Sequence, residues 1–120
     1  MAKKILYVEN EQFTQALVKE ILEGAGYEVV LADSGEAGLA LLEKEKPDLV
    51  LLDVLLPGMS GWDLFVRLRK TDKDVKIAFL SVLDVSGERK KKLASLGVSD
   101  YIIKPFTSDE LVEKVGKILG

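Results

Sequence analysis

Short apolar runs recur along the chain at Ile5-Leu-Tyr-Val8, Leu49-Val-Leu-Leu52, Ile77-Ala-Phe-Leu80 and Tyr101-Ile-Ile103, with a weaker one at Val29-Val-Leu31. Uninterrupted runs of this length predict strands covered on both faces, because a strand with one wet face would alternate apolar and polar residues. Between the runs lie segments with helical spacing, such as Phe13, Leu17 and Ile21; Leu64, Phe65 and Leu68; and Leu111, Val112, Val115 and Ile118. The punctuation agrees. Ser34 and Ser86 stand where helix N-caps are needed, Thr107 with Glu110 forms a capping box, and Gly24, Gly26 and Gly97 fall near helix ends. The pattern reads strand then helix five times over. Each crossover is long enough for a helix, so the strands are predicted parallel, with right-handed connections and helices on both faces of the sheet. The expected fold is a three-layer, doubly wound α/β (βα)5 unit covering residues 1–120 as one domain.

Composition narrows the chemistry. The 120 residues include no cysteine and no histidine, which excludes disulfides, thiolate metal sites and the commonest general base. A net charge of -3 argues against a nucleic-acid binder, which would show a basic balance gathered on one face. The basic run Arg89-Lys-Lys-Lys92 reads as a solvated helix face or a contact for an acidic partner. The start, Met1-Ala-Lys-Lys, leads into four apolar residues before Glu9, too few for a signal-peptide core or a membrane span. A cytoplasmic protein without membrane contact is expected, and nothing in the composition favours a state above a monomer.

In open α/β sheets ligands bind beyond the carboxyl ends of the strands. The residues just past the runs are Glu9-Asn10-Glu11, Asp53, Ser81 and Lys104-Pro105. Each has a plain structural reading: Asn10 as the cap of a helix beginning at Glu11, Ser81 as a strand-end hydroxyl, Lys104 as a solvated cation. Asp53 resists one. It follows four aliphatic residues, where a carboxylate needs a cation or hydrogen bonds, and Lys104 or a metal would serve. A carboxylate near a lysine and a hard divalent cation can attack phosphorus, since both positive charges offset those on the phosphoryl oxygens. Ser81 can then hydrogen-bond the new group.

The run Pro47-Asp-Leu-Val-Leu-Leu-Asp53-Val-Leu-Leu-Pro57-Gly-Met-Ser-Gly61, with Ser81 and Leu96-Gly-Val-Ser-Asp-Tyr101-Ile-Ile-Lys104-Pro105-Phe106, resembles the receiver domains of two-component response regulators, the CheY-like proteins, over the whole chain. The resemblance implies a flavodoxin-like sheet in the order 2-1-3-4-5. It implies a phospho-acceptor signalling switch of a His-Asp phosphorelay rather than a turnover enzyme. Asp53 would take a phosphoryl group from a sensor histidine kinase, a phosphotransfer protein or a small acyl phosphate. Lys104 would bridge to it and Ser81 would detect it. Tyr101 resembles the aromatic that turns inward when Ser81 moves, changing the face of the fourth helix, fifth strand and fifth helix for a downstream protein. The Lys104-Pro105 bond resembles the family's cis peptide.

One departure stands out. Where the family carries two aspartates this chain has Glu9 and Asn10. The implied Mg2+ ligands are Glu9, Asn10, Asp53 and the Leu55 main-chain carbonyl, with weakened affinity because Asn10 is neutral. Val82 stands where the family prefers a small residue. Leu55 and Leu83, at positions that tune water attack, are apolar and predict a long-lived phosphoryl group. Two other readings follow. One is a pseudo-receiver, a protein-binding module that signals without phosphorylation. The other is an enzyme, either a flavodoxin-like cofactor carrier or an aspartyl phosphatase. Glu9-Asn-Glu11 would repel a flavin phosphate, and the common aspartyl phosphatases carry their nucleophile after the first strand.

Overall fold

The computed structural model describes residues 2–120. Five strands, β1 (Lys4–Val8), β2 (Glu28–Ala32), β3 (Leu49–Leu52), β4 (Lys76–Ser81) and β5 (Val98–Ile103), alternate with five helices, α1 (Gln12–Gly24), α2 (Gly35–Glu45), α3 (Gly61–Thr71), α4 (Gly87–Ser95) and α5 (Ser108–Leu119). The sheet is parallel in the order β2-β1-β3-β4-β5, as expected. The apolar runs are strands because both faces are covered. Leu6, Val8, Val50, Leu52 and Phe79 point into a core shared with α2, α3 and α4. Tyr7, Leu49, Leu51, Leu80 and Ile102 point into a second core closed by Val18 and Leu22 of α1 and Leu111 and Val115 of α5.

Capping follows the expectation at Ser34, Ser86 and the Thr107–Glu110 capping box, and Ser60 caps α3 as well; each serine hydroxyl accepts from the main-chain N–H three residues on. Three expectations need correction. Asn10 does not cap α1; Glu11 does, its carboxylate accepting from the Phe13 and Thr14 amides at 2.8 Å each, while Asn10 is exposed. The spacing of Phe13, Leu17 and Ile21 does mark a helix, but not its buried side. Phe13 is 74% exposed and Leu17 41%, whereas Val18 and Leu22 are fully buried. The fifth strand begins at Val98, three residues before its apolar run, because Val98 is itself buried and pairs with Ile77, while Ser99, exposed on the edge strand, and Asp100 break the apolar run.

Candidate functional site

Register brings the acidic residues together. Val8 pairs with Leu52, so Glu9 and Asp53 leave adjacent strands at the same level, and the Asp53 amide donates to the Val8 carbonyl at 3.2 Å. Ser81 pairs with Ile103, and the Lys104 amide donates to the Ser81 carbonyl at 2.8 Å. Gly61 allows the loop after β3 to lie flat on the start of α3. A β-carbon there would stand 2.1 Å from the Asp53 carbonyl oxygen, inside any permitted contact.

Glu9, Asp53 and Ser81 are 3%, 5% and 0% exposed and are the buried polar or charged residues among those described. Lys104 reaches both carboxylates: its Nζ donates to Glu9 Oε1, and to Asp53 Oδ2 at 3.2 Å. The remaining oxygens are also engaged. The Leu55 amide donates to Asp53 Oδ1 at 3.0 Å and the Glu11 amide to Glu9 Oε2 at 3.1 Å. The Tyr7 hydroxyl, fully buried, donates to Glu9 Oε1 at 3.1 Å. Burial foremost, then the Glu9 charge, pushes the Tyr7 phenol well above its ordinary range, so it stays a donor. Two buried carboxylates therefore share one ammonium, and their desolvation cost is met by the full set of hydrogen bonds. Lys104, which in isolation reads as solvated, is the partner Asp53 required.

On the other side, two candidate residues hold one loop residue. Ser81 Oγ accepts from the Leu83 amide at 3.2 Å, and the Tyr101 hydroxyl donates to the Leu83 carbonyl. Tyr101, expected to turn inward when Ser81 moves, already lies inside at 6% exposure, and burial raises its phenol pKa. Its ring is 5.8 Å from Phe79 and stacks on Trp62 at 6.4 Å and 18°. The Arg89 guanidinium covers the outer face of Trp62 at 5.1 Å. Val82 and Leu55 are 61% and 57% exposed.

The donor set of Glu9, Asp53, the Asn10 amide and the Leu55 carbonyl is all oxygen, the kind a hard divalent cation takes. It fits Mg2+ in kind but with little charge to spare, since Lys104 sits on both carboxylates and no cluster of three acidic side chains exists among the described residues. The Lys104-Pro105 bond is cis. Tyr7, Trp62 and Arg89 are the site residues that sequence reasoning missed. Strand parity offered one signal: Tyr7, two residues before Glu9, had to point to the same face.

A family model described as the response regulator receiver domain matches residues 5–116. The transcriptional regulatory protein PcoR of Escherichia coli is 38% identical over 98% of this chain and 51% of its own length, so the chain spans about half the length of that curated relative. The response regulator TrrA of Thermotoga maritima, solved in complex with Mg2+-BeF, is 38% identical with a TM-score of 0.84, covering 98% of this chain and 99% of its own. The chemotaxis response regulator CheY4 of Vibrio cholerae is 29% identical with a TM-score of 0.87, covering 99% and 100%.

Proposed function

The chain belongs to the response regulator receiver domain family, and on that premise we propose that Asp53 is its phospho-acceptor and that its pocket works as a switch. Receiver domains are signalling modules, typically without turnover. The observation that carries the reading is the buried Asp53 carboxylate in contact with Lys104. An oxygen of Asp53 bonds to phosphorus while the donor's P–N bond breaks in a phosphohistidine, or its P–O bond in an acyl phosphate. The electron pair leaves on the donor's nitrogen or oxygen. Lys104 offsets charge on the transferring oxygens. Glu9, Asp53, the Asn10 amide oxygen and the Leu55 carbonyl would hold Mg2+, which would supply positive charge to offset that on the transferring phosphoryl group.

The new phosphoryl group carries nearly two charges and draws the Ser81 hydroxyl, which releases the Leu83 amide. Tyr101, holding the Leu83 carbonyl, passes the change to α4, β5 and α5. Exposed, apolar Leu55 and Leu83 orient no water, so the acyl phosphate outlasts seconds. The partners are a sensor histidine kinase or phosphotransfer protein and a downstream protein, met in the cytoplasm by a monomer; no described helix is long and apolar enough to cross a membrane. Intact mass after incubation with acetyl phosphate and Mg2+ tests the acceptor. The parent gains one phosphoryl group and Asp53→Asn gains none. Equal gain in both would displace Asp53. No gain in either favours the pseudo-receiver, the reading supported by Glu9 and Asn10 in place of two aspartates and by Val82 beside Ser81.

A further inference from the structure

Charge is unevenly spread along the chain. Residues 67–92 hold nine of the 17 lysines and arginines but four of the 20 acids, leaving eight cations and 16 acids to the rest. Its exposed cations lie on α4 and the carboxyl end of α3, with Arg89 turned toward Trp62 of α3 and Lys90 toward β5. Arg69, at the end of α3, donates to the Gly97 carbonyl just past α4 at 3.3 Å. A groove of about 450 Å3 between these elements is lined by Arg69, Lys73 and Lys76 with one acid, Asp74. On α4 itself Leu93 is the buried residue, and Arg89, Lys90, Lys91 and Lys92 are all exposed. The acids on or beside this face are Asp72, Asp74, Asp84, Glu88 and, on β5, Asp100. On α4 the like charges of Arg89 and Lys92 stand one turn apart and repel each other, a cost that complementary charge would relieve.

We infer that the face formed by α4 and the carboxyl end of α3 docks an acidic segment of a partner protein. A short acidic peptide covers the positive face alone. Duplex DNA crossing a molecule 32 Å long would bring about 19 phosphate charges against a chain whose remaining surface is strongly negative, so a protein ligand fits the charge distribution better than nucleic acid. The face is joined to the pocket through Arg89, whose guanidinium lies over Trp62, whose ring in turn stacks on Tyr101. Docking that draws Arg89 toward a carboxylate loosens this stack, and the state of the Leu83 loop biases docking in return. This coupling rests on the switch proposed above; the docking itself does not.

The test uses fluorescence anisotropy with a fluorescein-labelled peptide of mixed aspartate and glutamate, about ten residues long, and a labelled duplex of similar length, at about 0.05 and 0.5 M salt. The peptide binds at low salt, and Lys91→Glu/Lys92→Glu weakens it by about tenfold. Lys3→Glu/Lys44→Glu, with the same change in net charge on other faces, leaves it unchanged. Equal loss in both double variants, no peptide binding, or tighter binding of the duplex overturns the proposal. Trp62, the sole tryptophan, reads the coupling: its emission shifts on peptide binding in the parent and not in Arg89→Gln. Peptide binding by a protein that takes up no phosphoryl group upholds the docking and refutes its coupling to the switch.

Discussion

Two tyrosines flank the pocket and do opposite things. Tyr7, fully buried beneath the core of α1 and α5, donates to a carboxylate that Lys104 and the Glu11 amide also grip. Tyr101, at the edge strand, donates to the main chain of Leu83 in an exposed loop. On the Tyr7 side both Glu9 oxygens are held, by the Tyr7 hydroxyl, the Lys104 ammonium and the Glu11 amide, so movement there breaks several charge-assisted bonds together. On the Tyr101 side the hold is two hydrogen bonds on one loop residue and a stack of rings. A switch needs one fixed wall and one that yields at low cost, and the pocket has both.

The contrast breaks first at Lys104. Lys104→Met leaves Glu9 and Asp53 facing each other without a cation, and we expect a loss of about 3–5 kcal/mol in urea unfolding. The same variant frees both carboxylates, so calorimetric titration should show tighter Mg2+ binding than in the parent. Weaker binding would mean that lysine and metal do not compete for these oxygens.

A smaller effect separates the walls directly. Tyr7→Phe removes a donor to a buried charge and should cost about 1.5–3 kcal/mol. Tyr101→Phe loses a bond to a carbonyl that water can reach and keeps its stacking, so about 0.5–1 kcal/mol is expected. Equal losses would abolish the distinction between fixed and yielding walls.

Smaller still is the alkaline response. Both phenols titrate above their ordinary value in the folded protein. The unfolded chain therefore releases those protons first, and the stability they contribute is complete below about pH 10 and declines above it, by up to about 1.4 kcal/mol per pH unit for each group. Tyr7→Phe should flatten that decline more than Tyr101→Phe, as measured by urea unfolding from pH 9 to 11.

Much of this was legible in the sequence, and the reasons differ by element. The strands were readable because a parallel sheet buries both faces, which leaves continuous runs such as Leu49–Leu52. Asp53, Ser81 and Lys104 were readable because strand ends fix where chemistry collects. Helix α1 misled. Its apolar residues occupy two stripes, and spacing alone does not say which of Leu17 and Val18 turns inward; the fully buried Val18 and Leu22 do. Glu11 displaced Asn10 as the cap because the chain stays extended through Glu11 before turning. Trp62 and Arg89 were out of reach, since their meeting depends on how α3 and α4 pack, a distance of 27 residues along the chain that no local pattern encodes.

Two main-chain amides report which wall answers to the pocket's charge state. The Glu11 amide donates to Glu9 and the Leu83 amide to Ser81. Nitrogen-15 NMR of the protein with Mg2+ present throughout, before and after addition of beryllofluoride, a phosphoryl mimic, reads both at once. A large shift is expected at Leu83 as Ser81 turns to the phosphoryl position, with Glu11 nearly unmoved. A shift at Glu11 equal to or larger than that at Leu83 would contradict it.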